Sequence, residues 1–107
     1  MSITPKQLAQ AALGLVAAPL FTSNSGVTLL KDVSVANSAG AEIRVFLHLV
    51  PAGGIAGLDN VFLPGIPVAP GGLVGWSGLQ VLEEGAQLVA FADALGLTLT
   101  ASGAVVK

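Results

Sequence analysis

The stretch Asn37 to Gly54, NSAGAEIRVFLHLVPAGG, reads as one half-buried β-strand set between two turns. Ile43, Val45, Leu47 and Leu49 share one face, and Glu42, Arg44, Phe46, His48 and Val50 share the other, which is the two-residue period of a pleated strand. Asn37-Ser-Ala-Gly40 before it and Pro51-Ala-Gly-Gly54 after it carry the residues that favour turns. The first face is expected to line a core. The second face, with Phe46, His48 and Val50, is expected to pack within the fold or against another subunit.

Outward from this strand the same grammar repeats. Short apolar runs are broken by Gly, Asn, Ser or Pro about every ten residues, the spacing of an antiparallel sandwich or barrel. Expected strands are Pro19 to Thr22, Val27 to Ala36, Ala41 to Val50, Asn60 to Leu63, Leu73 to Trp76, Leu79 to Leu82, Gln87 to Ala92, Leu97 to Ala101 and Ala104 to Val106, with some expected to merge and some to be loop. In Val27 to Ala36, Lys31 falls on the parity of Val27, Leu29, Val33 and Val35. That conflict predicts a bulge near Leu30 to Asp32, or an edge position where Lys31 reaches water. Pro64, Pro67 and Pro70 lack the N–H that a central ladder needs, so Pro64 to Gly72 is assigned to an edge or a connecting loop. Glu83-Glu84-Gly85 and Ala94-Leu-Gly96 read as hairpin turns, and Leu97 and Leu99 alternate with Thr98 and Thr100 as a strand with a polar outer face.

The fold class implied is all-β, a small antiparallel β-sandwich or jelly-roll-like barrel, occupying residues 17–107 as one domain. Residues 1–16 are set apart. Leu8, Ala11, Ala12 and Leu15 recur at three and four, and Thr4 followed by Pro5 resembles a helix start. The alternative is an arm that gains order only by lying along a neighbouring subunit; the arm is preferred to the short helix.

The chain has 107 residues, enough for a single core. It is 53% hydrophobic and 9% charged, against about 25% charged in ordinary soluble domains. So apolar a chain is expected to keep exposed apolar surface that a partner covers, which points to a subunit and a homo-oligomer. Net charge is −2 and the four basic residues, Lys6, Lys31, Arg44 and Lys107, are scattered. No basic patch exists to displace phosphate counterions, so no nucleic-acid partner is expected. Cysteine is absent, which removes disulfides and thiolate metal sites.

The uncharged stretches Gln7 to Leu30 and Asn60 to Leu82 do not read as membrane spans. Pro19 and the polar run Thr22 to Gly26 interrupt the first, and three prolines and five glycines the second. A signal peptide is also disfavoured, since Gln7 and Gln10 dilute the apolar region and no small-x-small site follows.

No residue set carries catalysis or cofactor binding convincingly. His48 is the lone imidazole, so neither a zinc site nor a triad can be built around it. Asp32, Asp59 and Asp93 are isolated in sequence, unlike the ligands of a calcium loop. Glu83 and Glu84 are adjacent: in a strand they diverge, and in a turn they are solvated. Among Ser23, Ser25, Ser38, Ser77 and Ser102 none sits in a nucleophile-elbow spacing, and the paired glycines match no phosphate loop. Trp76, in a glycine-rich surround, suits either a core or sandwich-lid aromatic or an exposed anchor for an interface or a sugar ring. The candidate functional residues are therefore interface residues: Leu8, Leu15, Phe46, His48, Val50 and Trp76.

Several segments together resemble small bacteriophage virion proteins. These are Thr4-Pro-Lys-Gln-Leu-Ala-Gln10, Leu20-Phe-Thr-Ser23, Val33-Ser-Val-Ala-Asn-Ser38, Val45-Phe-Leu-His-Leu-Val-Pro-Ala-Gly-Gly54, Val81-Leu-Glu-Glu-Gly85 and Thr100-Ala-Ser-Gly103. The resemblance is a pattern of turns and brings no functional residue with it. It implies a non-enzymatic structural component of the phage particle, assembled in the host cytoplasm. Within that class a capsid-decorating (cement) protein is preferred, a trimer or similar cluster seated on the major capsid protein or other virion subunits. A tail, neck or fibre module ranks next, and a carbohydrate-binding or adhesive sandwich using Trp76 third.

Overall fold

The structure, a computed structural model, describes residues 2–24 and 26–107. Ser25, one of the serines considered above, lies outside the described residues. Eight strands are present among the described residues, and no helix: β1 (Ile3–Ala12), β2 (Ala18–Thr22), β3 (Val27–Asn37), β4 (Ile43–Val50), β5 (Val61–Val68), β6 (Leu73–Leu82), β7 (Gln87–Ala92) and β8 (Leu97–Val106). They form two four-stranded sheets, ordered β1-β8-β3-β6 and β2-β7-β4-β5, with antiparallel pairing throughout.

The pairs β4 with β5, β3 with β6, β2 with β7 and β1 with β8 are nested, as if one long antiparallel hairpin had been rolled up. The contacts of β8 with β3 and of β7 with β4 then seal the roll. This is the connectivity of a jelly roll, a double-sheet solution to burying one face of each strand. The expected all-β sandwich or jelly-roll-like barrel is what the chain forms.

The core follows the alternation. Ile43, Val45 and Leu47 of β4, Val33 and Val35 of β3, and Leu97, Leu99 and Ala101 of β8 all face inward and are buried, while Arg44 and Thr98 between them are exposed. The bulge expected near Lys31 is present: pairing shifts between Leu30 and Asp32 on both sides of β3, and Lys31 is exposed. The extra residue returns Leu30 and Val33 to the same buried face. On β8, Gly103 lies opposite Leu30, and a Cβ there would run into the Leu29 carbonyl. The proline-rich segment is the edge strand β5, whose ladder with β4 shifts twice. One shift skips Gly65, which has φ of 80° and leaves room for the Phe46 ring.

Two sequence expectations are corrected. The segment proposed as an arm or short helix is neither; Ile3–Ala12 is strand β1, paired along its length with β8. The three-and-four spacing misled because β1 itself is irregular: its pairing shifts between Gln7 and Ala9, and Leu8 and Ala9 are both buried. The residues set apart as 1–16 thus contribute a strand to the sandwich assigned to 17–107. Nor are the Glu83-Glu84-Gly85 and Ala94-Leu-Gly96 turns hairpins. They join β6 to β7 and β7 to β8, strands of opposite sheets, so each turn arches across the core.

Candidate interaction surface

The six residues singled out from sequence do not form one surface. Leu8 is buried in the chain's own core. His48 and Val50 are also buried. The outer face of β4 meets the outer face of β7 in the pairs Phe46 with Phe91, His48 with Val89 and Val50 with Gln87. Phe46 and Phe91 stack at 4.7 Å between ring centroids and 4° between planes. His48 extends the row, nearly parallel to Phe91 at 6.2 Å. The second face of the opening strand is therefore packed within the chain over much of its length, the first of the two outcomes expected for it.

Asn60 locks the long β4–β5 connection to this row. Its Oδ1 accepts from the Gly57 N–H at 3.0 Å and lies 3.0 Å from His48 Nδ1, and its Nδ2 donates to the Ile55 carbonyl at 2.8 Å. With Oδ1 an acceptor in both contacts, the Nδ1 of His48 carries the proton. The histidine is thus a hydrogen-bonded member of the loop support. Arg44, at the other end of the row, donates from Nη1 to the Gly65 carbonyl, and its backbone N–H donates to Asp93 Oδ1.

Trp76 stands on the inner parity of β6 and packs against the core. Phe62 meets it in a T-shaped contact, 4.8 Å between centroids and 87° between planes. The two rings close the side of the sandwich where β5 and β6 are the edge strands, which is the lid role rather than that of a free aromatic platform. Leu15 alone among the six is a large apolar side chain left open, at 57% exposure. It lies in the β1–β2 connection, which meets the β7–β8 strands through hydrogen bonds from Leu13 N–H to the Leu97 carbonyl and from Ala92 N–H to the Gly14 carbonyl. Val16 in the same connection and Leu95 in the β7–β8 turn are also exposed, so this end of the sandwich carries apolar side chains on neighbouring loops.

At the opposite end, a cleft of about 450 Å³ opens between the β4–β5 connection and the β6–β7 turn, with Asp59, Glu83 and Glu84 on its walls. Glu84 Oε1 accepts from the Gly26 N–H at 3.0 Å, which ties the β6–β7 turn to the β2–β3 connection. No group of three or more His, Asp or Glu side chains suited to a metal is found among the described residues. Nor is any helix among them long and apolar enough to cross a membrane.

Sequence reasoning passed over the surface with the most open apolar side chains in one element. Leu73, Leu79 and Val81 of β6 are exposed, as are Ile55 and Leu58 of the β4–β5 connection. The signal was present in the two-residue spacing of Leu73, Gly75, Ser77, Leu79 and Val81. Dividing the run at Ser77-Gly78 concealed it.

The fold and surface define a jelly-roll sandwich whose open features are apolar side chains. Comparison of the chain with protein-family models, with curated proteins and with solved structures gives no match.

Proposed function

We propose that this chain is a non-enzymatic structural subunit of a bacteriophage particle, acting as a capsid-decorating (cement) protein on the assembled shell. One observation carries the reading: large apolar side chains stay exposed on both end loops and along β6, in a chain only 9% charged. Such surface is normally covered by partners. The resemblance of its turn pattern to small virion proteins supports the same class. So does the rolled eight-stranded topology, which recurs in viral shell proteins, although lectins and cupins use it too and the support is fold analogy alone.

The mechanism is mass action. A subunit that binds the assembled lattice and not its separated parts stabilises the lattice by RT ln(1 + [L]/Kd), about 2.7 kcal/mol per site at a hundredfold excess over Kd. The Leu15, Val16 and Leu95 end supplies apolar area for such contact, with the major capsid protein as the expected partner. The test is to count copies per purified particle by quantitative mass spectrometry and to melt particles with and without the subunit. A cement protein is present in many copies and raises the shell's melting temperature. A few copies per particle would transfer the chain to a tail, neck or fibre role, and absence from particles would end the virion reading.

A further inference from the structure

The core-facing side of the β1-β8-β3 sheet changes chemistry towards one end of the sandwich. Buried Leu30 shares the cross-strand row of Gly103 with Lys6, and buried Thr28 shares the row of Val105 with Thr4. One row further out, Ser2 and Lys107 exchange backbone hydrogen bonds. The face that carries Leu99 and Ala101 deeper in the fold therefore carries hydroxyl groups and lysines here. Between it and the end of β2 opens a pocket of about 350 Å³, with Lys6, Thr28 and Lys107 on one wall and Phe21 and Thr22 on the other. Two of the chain's four basic residues, far apart in sequence, thus share one pocket, and no Asp or Glu side chain lines it.

The floor of the pocket is fixed by hydrogen bonds. Ser23 and Thr28 are each 1% exposed and their hydroxyls lie 2.8 Å apart, while Ser23 Oγ donates to the Gly26 carbonyl at 3.2 Å. Ser23 has one hydroxyl hydrogen, so Thr28 is the donor in their contact and keeps its acceptor lone pairs. Thr22 Oγ1 accepts from Gln87 Nε2 at 3.3 Å and keeps its own hydrogen to donate.

We propose that this pocket binds a carboxylated sugar, one ring at a time. The lysine ammonium groups supply charge-assisted hydrogen bonds to a carboxylate. Thr22 and Thr28 offer a donor and an acceptor to ring hydroxyls, and half-buried Phe21, packed on the core, gives an apolar wall for the C–H face of the ring. The volume stands at the small end of the roughly 300–1,000 Å³ typical of ligand sites, which suits a single ring. A neutral sugar would leave the two lysines without a counter-charge, and a simple anion would leave Phe21 and the threonines unused. The site is separate from Trp76 and does not rest on the virion reading, whose test is particle copy number.

Titration of isotope-labelled protein, followed by amide chemical shifts in NMR, tests the proposal with three probes. D-Glucuronate should shift the amides of Lys6, Thr22 and Thr28 saturably. D-Glucose lacks the carboxylate and acetate lacks the ring, so each should bind at least about tenfold more weakly, the worth of roughly one charge-assisted bond. The double variant Lys6→Gln, Lys107→Gln should lose about tenfold in glucuronate affinity, whereas Lys31→Gln, exposed on β3 and outside the pocket, should match wild type. Circular dichroism establishes that the sandwich is retained, and added salt should weaken glucuronate binding by the wild-type chain. No saturable shift with glucuronate overturns the proposal. Glucose binding as tightly as glucuronate, or a double variant that binds like wild type, removes the role of the lysines and overturns it as well. Acetate binding as tightly as glucuronate would make this a general anion site and end the sugar assignment.

Discussion

Replacing Asn37 by Asp keeps the shape of a buried side chain and reverses the polarity of one of its two terminal atoms. Asn37 ends β3 and is 3% exposed. Its Nδ2 donates to the Ala41 carbonyl at 2.8 Å and to the Val68 carbonyl at 2.9 Å, while its Oδ1 accepts from the Ala39 N–H at 2.8 Å. Its backbone also exchanges bonds with Gly71 and Gly72. One residue thus joins the end of β3, the β3–β4 turn, the end of β5 and the β5–β6 loop. In Asn37→Asp a carboxylate oxygen faces two carbonyl oxygens. Two bonds are lost at about 1 kcal/mol each, and the unpaired carbonyl of fully buried Val68 adds about 1–3 kcal/mol, giving roughly 3–5 kcal/mol. At about 4 °C per kcal/mol for a domain of this size, the melting temperature should fall by roughly 12–20 °C. Asn37→Ala should cost somewhat less, because it loses the bonds without bringing like dipoles together. Facing carbonyls, the new carboxyl has its folded-state pKa raised, and its protonated form can donate one of the two lost bonds. The variant's deficit should therefore narrow as pH falls through that raised value and widen above it. Urea unfolding at several pH values, followed by circular dichroism, measures both effects, with Asn24→Asp, at an exposed position, as the control. An Asn37→Asp variant within about 1 kcal/mol of wild type, or a deficit independent of pH, would refute the role assigned to this side chain.

Two further substitutions separate global from local effects. Gly103→Ala should destabilise by about 2–3 kcal/mol in thermal unfolding, because the new methyl meets the Leu29 backbone in mid-sheet, whereas Gly75→Ala on open β6 should stay within about 0.5 kcal/mol of wild type. Asn60→Ala removes the side-chain bonds that organise the β4–β5 connection, so hydrogen exchange there should quicken while amides of β3 and β8 keep their protection.

Local alternation carried most of the fold. Ile43, Val45 and Leu47 were assignable to a core face because each neighbour of opposite parity was polar or aromatic, and Lys31 exposed its own bulge by breaking a parity that Val33 and Val35 resumed. What alternation cannot supply is which strand lies beside which. Glu83-Glu84-Gly85 looks the same in sequence whether it returns a chain to the same sheet or carries it to the other, since both leave an apolar run on either side. The candidate surface was less legible for a related reason. Parity distinguishes two faces, yet the second face of β4 was claimed by Phe91 and Val89 of β7 and by Asn60, and no local pattern announces those partners. Exposed Leu79 and Val81 became visible as a surface only once β6 was known to end a sheet.

The order of the strands also bears on how the sheet edges are protected. β7 and β8 come last in the chain and lie in the middle of the two sheets, while β1 and β2 come first and hang on them as edges. β1 has β8 as its ladder partner, from the opposite end of the chain, so a local reading sees an arm where the completed fold has a strand. Until β7 and β8 are in place, β3 and β4 each lack a neighbour. Pairing of such long range is slow to form and leaves open edges while it does. A chain of this topology therefore needs edge protection twice, during folding and afterwards, and prolines 5, 19, 64 and 67 provide it on β1, β2 and β5. β6 has neither proline nor charge, and its protection is the shift in its ladder with β3, where Gly78 and Leu79 stand against the single residue Lys31.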